Sequence, residues 1–206
     1  MTTRALAGSE DALRECIAGG GVAVFPTDTV YGLCCDPENA GAVRRLYALK
    51  GREADKPAAL LCFSLAVALE LLPELGERTR GALRDLLPGP VTLLLPNARR
   101  RYPLTGGELL GLRVIDVGLS LALPVLQSSA NRSGEGDGRR LEDVPLAIRD
   151  GADLVIDGGE LPGVASTVVD LSRFDLDGSW RVVRQGGLGE RALAARIGPR
   201  NGGSAA

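Results

Sequence analysis

The stretch LYALKGREADKPAAL, residues 46–60, holds the chain's only two lysines, Lys50 and Lys56, on either side of Arg52. Every other basic residue is an arginine. A guanidinium is a planar fork suited to bidentate grip, whereas an ammonium is a compact point charge that can follow a phosphate as its geometry changes. Three cations within seven residues suit a polyanionic ligand, although a solvated helix end explains them equally well. Four more polar clusters interrupt apolar sequence: FPTDTVYGL with Thr27, Asp28, Thr29 and Tyr31; PGPVT with Thr92; SSANRSG with Ser128, Ser129, Asn131 and Ser133; and STVV followed by WRVVRQGG with Arg184. Each also reads as a turn, a loop or a satisfied ion pair.

Composition removes several classes of chemistry. The chain has no histidine, so Ser-His and Cys-His nucleophiles are absent, as is the commonest general base near neutral pH. Cys16, Cys34, Cys35 and Cys62 show no C-x-x-C spacing, which argues against structural zinc and for reduced, partly buried thiols. A net charge of -2 lacks the basic excess that drives non-specific nucleic-acid binding, so strong direct contact with RNA or DNA is not expected. The N-terminus shows no signal-peptide pattern and no run has the length needed to span a membrane, which predicts a cytoplasmic protein.

The elements that must position these clusters follow from periodicity. Ser9 is a candidate cap for a helix with Ala12, Leu13, Cys16 and Ile17 on one face, ended by glycines 19–21. VAVF at 22–25 reads as a buried strand. Val43, Leu46 and Tyr47 form a stripe on a helix over 38–49 with Gly51 as its C-terminal cap, so Lys50 and Arg52 lie at a helix end. AALLCF, VTLLL, LGLRVI, LPVL and DLVIDGG read as further strands. Helices are expected after Ser64, near 76–87 up to Pro88, and over DVPLAIRDG. STVVDLS and SWRVVRQGG, joined by RFDLDG, predict a hairpin. The interspersed pattern predicts an α/β (α+β) chain around a mixed sheet: one domain over 1–197 and a disordered tail over 198–206.

Polar clusters at the ends of several strands in such a chain converge on one crevice. Ammonium, guanidinium, hydroxyl and amide groups together suit a nucleotide with a small polar partner. Neither a Walker A sequence nor G-x-G-x-x-G is present, so side chains would hold the phosphates.

In order and wording, FPTDTVYGL, LYALKGREADKP, LPGPVTLLL, SSANRSG, ASTVVDL and VVRQGG resemble the motifs of the YrdC-type threonylcarbamoyl-AMP synthases, over roughly residues 10 to 190. The resemblance implies a curved mixed sheet around a deep basic cavity. It implies synthesis of threonylcarbamoyl-AMP and pyrophosphate from L-threonine, bicarbonate and ATP, with Mg2+ on the phosphates. The product would pass to a complex that transfers the group to tRNA. Carried over by motif, Lys50 and Arg52 would face the ATP phosphates as the catalytic cations, with Lys56 as a further nucleotide contact. Asn131, Thr92 and Arg184 would serve the nucleotide, and Arg139 matches there more loosely. Thr29, Arg113, Ser129 and Ser166 would line the threonine site.

The sequence departs from the family pattern after Arg113. RVIDVGLSLALPVL lacks the usual prolines and is several residues short, so an altered wall of the threonine pocket is expected. The short single-domain form is also expected. Three readings stay open on the residues alone: the synthase, a relative that binds nucleotide or RNA without turnover, and a related adenylating domain that uses carbamoyl phosphate.

Overall fold

A computed structural model describes residues 2–51 and 58–199, and Arg52 and Lys56 lie outside these. So do the tail residues 200–206. Strand β1 (Thr2–Ala5) precedes helix α1 (Glu10–Ala18), whose Leu13 and Ile17 are buried while its acidic first turn faces out. Ser9 does not cap α1: its hydroxyl donates to the Ala5 carbonyl instead. β2 (Ala23–Pro26) and β3 (Tyr31–Cys35) form an antiparallel hairpin. β3 escapes period-two reading because it is buried on both faces, with Tyr31, Leu33 and Cys35 on one side and Cys34 on the other.

Helix α2 (Ala40–Lys50) is capped by the Asn39 side chain, which accepts from the Ala42 N–H at 3.0 Å. It ends at Gly51, whose φ of 58° is the left-handed conformation that glycine adopts without steric cost. Its inward stripe is Val43, Leu46, Tyr47 and Lys50, spaced i, i+3, i+4 and i+7, so periodicity carries the lysine into the interior. β4 (Ala59–Cys62) follows. Ser64 then caps α3 (Leu65–Leu71) by accepting from the Val67 N–H, and α4 (Glu77–Leu86) stops before Pro88.

β5 (Val91–Pro96), β6 (Leu109–Val114) and β7 (Val125–Ser129) come next, then α5 (Leu146–Gly151) and β8 (Leu154–Asp157). β7 runs past the apolar LPVL to include Gln127, Ser128 and Ser129. β9 (Thr167–Asp170) and β10 (Arg181–Arg184) pair antiparallel, joined through a single helical turn, α6 (Phe174–Asp177). Helix α7 (Glu190–Ile197) packs on the same core as α4.

The strands form one mixed ten-stranded sheet in the order β1-β8-β2-β3-β7-β4-β6-β5-β9-β10. α3, α4 and α7 cover one end, burying Leu72, Leu83, Leu86 and Leu193 against β5 and β6. Burying each such leucine side chain contributes about 2 kcal/mol. α2 and α5 cover one face of the other end, and α1 covers the opposite face with the segment after β6. That segment is the one expected to form an altered pocket wall. Ile115, Leu119 and Leu121 pack there against Leu13 and Ile17.

Candidate active site

At the centre of the sheet the period of two sorts each strand into a core row and a cavity row. Leu60, Val91, Leu93, Leu110, Leu112 and Val169 enter the core. Ala59, Thr92, Leu94, Gly111, Arg113 and Val168 point the other way and line a cavity of about 330 Å³. Ala59 stands beside Gly111 on one neighbour and Gln127 on the other. A Cβ at Gly111 would lie 3.3 Å from that of Ala59, so small residues here keep the floor low. Residues 114–124 contribute nothing to the lining; the altered segment after Arg113 is not a wall of this cavity.

Three hydrogen-bonded groups ring the space. In the first, Thr27 closes the β2–β3 turn by donating to the Val30 carbonyl at 2.7 Å, and its hydroxyl lies 2.9 Å from that of Thr29. Arg113, on β6, reaches across to this turn. Its Nη2 donates to Asp28 Oδ1 at 2.6 Å and Thr29 Oγ1 at 3.0 Å, and its Nη1 donates to Gln127 Oε1 at 3.2 Å. In the second, the hydroxyls of Thr92 and Ser166 lie 2.8 Å apart, and Arg184 Nη2 donates to the Ser166 carbonyl at 2.9 Å. A register shift between Val182 and Arg184 sets Arg184 opposite Val168, a cavity residue. Cross-strand partners share a face, so this bulge aims the guanidinium inward. The same arginine, read from sequence as a candidate ion-pair partner, has no carboxylate among the described residues.

Burial raises the Asp28 carboxyl above the usual carboxylate range, with Arg113 pulling it back. Burial lowers Arg113, Asp28 opposes that, and the charge of Arg184 lowers it further. Both directions have the same cause, loss of water, and a guanidinium stays protonated in proteins, so the contact is an ion pair at neutral pH. Arg113 is matched by Asp28, whereas Arg184 has no carboxylate partner among the described residues and can face an anion. Arg113 Nε is buried with no partner among the described residues, which is spare donor capacity at the same place.

The third group is Lys50, Ser129 and Asn131. The Lys50 ammonium is 2% exposed and donates to the Ser129 carbonyl, to the Asn131 carbonyl at 2.9 Å and to Asn131 Oδ1 at 3.1 Å. Ser129 Oγ donates to the same Oδ1 at 2.6 Å, and the Lys50 carbonyl accepts from the Ser133 N–H at 3.0 Å. The Lys50 ammonium, carried over as a phosphate contact, organises the Ser129–Asn131 turn in this structure. The physical reason is its place on the buried stripe of α2. Thr29, Thr92, Arg113, Ser129, Ser166 and Arg184 do line one cavity, whereas Lys50 and Asn131 are buried and are not in its lining. Arg139 is not in the lining. It points outward, with Nη2 donating to Glu160 at 2.8 Å beside a parallel Arg140–Glu160 pair at 2.6 Å.

A family model described as "Telomere recombination", covering Sua5, YciO and YrdC, matches residues 15–186. The chain belongs to the Sua5/YciO/YrdC family. It is 34% identical to the human threonylcarbamoyl-AMP synthase over 205 residues, covering 87% of this chain and 69% of that one. Pyrococcus abyssi Sua5 complexed with L-threonine superposes with a TM-score of 0.79 at 30% identity over 91% of this chain, which spans 56% of that protein. Escherichia coli YciO superposes at 0.70 with 26% identity, covering 86% of this chain and 88% of YciO.

Within this family fold, two polar lining residues went unremarked in the sequence. Gln127 carries a signal, an amide inside the apolar run of β7, and it braces Arg113. Its Nε2 packs 2.9 Å from where a Gly32 Cβ would be, so a side chain there would displace the amide from Arg113. Asp137 carries none, being one acid in a glycine-rich loop. Tyr31 is buried, with its hydroxyl 3.0 Å from Asp157 Oδ1 and 2.9 Å from the Gly159 carbonyl. That tethers the loop whose Gly163 N–H donates to the Thr29 carbonyl at 2.8 Å. Among the described residues no three His, Cys, Asp or Glu side chains gather at a metal site, and no helix is long and apolar enough to cross a membrane.

Proposed function

We propose that this chain is a threonylcarbamoyl-AMP synthase, which condenses L-threonine, bicarbonate and ATP into threonylcarbamoyl-AMP and pyrophosphate for transfer to tRNA. The observation that carries the reading is the convergence of Thr29, Thr92, Arg113, Ser129, Ser166 and Arg184, from six separate stretches of sequence, on one cavity. Hydroxyls suit the side chain of threonine, and the paired guanidiniums suit its carboxylate and the phosphates. The similarity to a threonine-complexed relative supports the same substrate.

The chemistry needs positioning more than proton transfer. The neutral amine attacks the carbon supplied by bicarbonate, water is lost, and an N-carboxylate forms. One of its oxygens attacks the α-phosphorus of ATP while the bond to the β-phosphate bridging oxygen breaks, and pyrophosphate leaves. ATP would enter as its magnesium complex, the ion offsetting charge on the phosphates. Arg184, with Arg52 and Lys56 of the KGREADKP segment, neutralises the phosphates, and Arg113 orients the amino acid. With no histidine in the chain, the amine's proton goes to solvent.

The test is pyrophosphate release from ATP and magnesium with each co-substrate omitted in turn. Release requiring both threonine and bicarbonate supports the proposal. Release without threonine, or driven by carbamoyl phosphate alone, overturns it.

A further inference from the structure

From its position in the cavity and its unpaired charge, we infer that Asp137 is the anionic contact for the α-ammonium group of the amino-acid substrate. The inference rests on the synthase reading and adds a residue that selects for a substrate bearing an α-ammonium group. Asp137 is a half-buried cavity residue whose carboxylate has no hydrogen bond or ion pair among the described residues. The other carboxylate in the lining region, Asp28, is already taken by Arg113 at 2.6 Å. A zwitterion entering beside Arg113 and Arg184 brings one negative and one positive group. The guanidiniums answer the first, and Asp137 is the acid left to answer the second.

Its location favours the amino acid over the nucleotide. The carbonyl of the next residue, Gly138, accepts from the Tyr31 N–H at 3.1 Å, which sets Asp137 beside the Thr29–Val30 turn. The acid is also held in place. Arg139 and Arg140 N–H groups donate to Asp143 at 3.0 and 2.9 Å, and the Leu161 N–H donates to the Arg139 carbonyl at 2.8 Å. A fixed, unpaired carboxylate facing a cation of the substrate needs little reorganisation on binding.

The experiment is calorimetric titration of the wild-type chain, Asp137→Asn and Asp137→Glu with L-threonine and with its α-hydroxy analogue, 2,3-dihydroxybutyrate. Magnesium ATP binding serves as a control for folding of the cavity. Losing a charge-assisted contact lowers affinity about tenfold or more. The expected result is that loss for threonine in Asp137→Asn, with the hydroxy acid and magnesium ATP bound as by the wild type, and partial recovery in Asp137→Glu. Wild-type affinity of Asp137→Asn for threonine overturns the inference while leaving the synthase reading intact. Equal loss for both ligands also overturns it, since the amine would then not be what Asp137 recognises. A wild-type chain that binds no threonine overturns the synthase reading and this inference with it.

Discussion

Lys50 shows how a single residue changes meaning once its burial is known. A cation beside phosphates and a cation buried among carbonyls give the same letter in the sequence but opposite consequences on removal. Replacing Lys50 by methionine keeps the length and removes the ammonium donor from the buried carbonyls of Ser129 and Asn131, while Asn131 Oδ1 keeps the Ser129 hydroxyl. Stranding buried polar groups in this way costs about 3 kcal/mol. Denaturant unfolding of Lys50→Met is therefore expected to show that loss. Lys50→Arg should lose both stability and turnover, because a flat guanidinium does not fit a socket shaped for a point charge. If Lys50→Met were as stable as the parent and only its KM for ATP rose, the ammonium would be a phosphate ligand after all. The i, i+3, i+4, i+7 run from Val43 to Lys50 was available in the sequence and points to the buried outcome.

Among the elements, β9 and β10 carry the sharpest constraint. The Thr167 hydroxyl accepts from the N–H groups of Gly186 and Leu188, both at 3.0 Å, folding the RQGG segment onto the strand that presents Ser166. A Cβ at Gly186 would lie 2.5 Å from the Ser166 carbonyl carbon, against backbone that cannot yield cheaply. Gly186→Ala should thus push Ser166 and its partners Thr92 and Arg184 out of place. Misplacement on that scale costs about a hundredfold in turnover, with far-UV circular dichroism unchanged. Wild-type turnover in this variant would show that Ser166 is not part of the working geometry.

The hairpin itself was legible from alternation in STVVDLS and SWRVVRQGG. Its bulge was not, because a register shift depends on how two strands meet and leaves no composition cue, yet it decides where Arg184 points. β3 was missed for a related reason: YGLCC is buried on both faces and so shows no alternation. The helix caps at Ser64 and Gly51, by contrast, are local backbone chemistry and could be read directly.

For the whole molecule, the carboxylates that hold distant segments set the response to acid. Asp153 grips Arg45 on α2 through both oxygens, at 2.6 and 2.9 Å, and accepts from the Val22 N–H at 2.8 Å. The Arg45 hydrogen bond holds its carboxyl below the usual range. Asp177 is held down to about 2 by Ser179, through its side chain and N–H, and then by Arg173. A carboxylate depressed in the folded state stabilises it above the unfolded pKa of about 3.9, and that contribution is lost as pH falls through the folded value. Asp28, raised by burial, works the other way: its contribution is present at low pH and lost as pH rises through its folded value. The depressed carboxylates outnumber it, so the melting temperature should fall from pH 5 to pH 2. Asp153→Asn should narrow that fall: the gap between variant and parent is expected to be widest near pH 6 and to close near pH 2. A constant gap across this range would assign Asp153 no role in acid lability.

At the same scale, six stretches spread over some 150 residues of sequence converge because alternate residues of adjacent strands share one face of the sheet. That convergence is the basis of the central claim, that the cavity joins a carboxylated amino acid to the α-phosphate of ATP. The most direct measurement supplies ¹³C-bicarbonate with threonine, ATP and magnesium, and examines the adenylate product by mass spectrometry at early times. The account predicts an AMP ester of carbamoylated threonine carrying the heavy carbon, formed in step with pyrophosphate. Pyrophosphate accompanied by unlabelled threonyl-AMP, or by an adenylate without threonine, would contradict it.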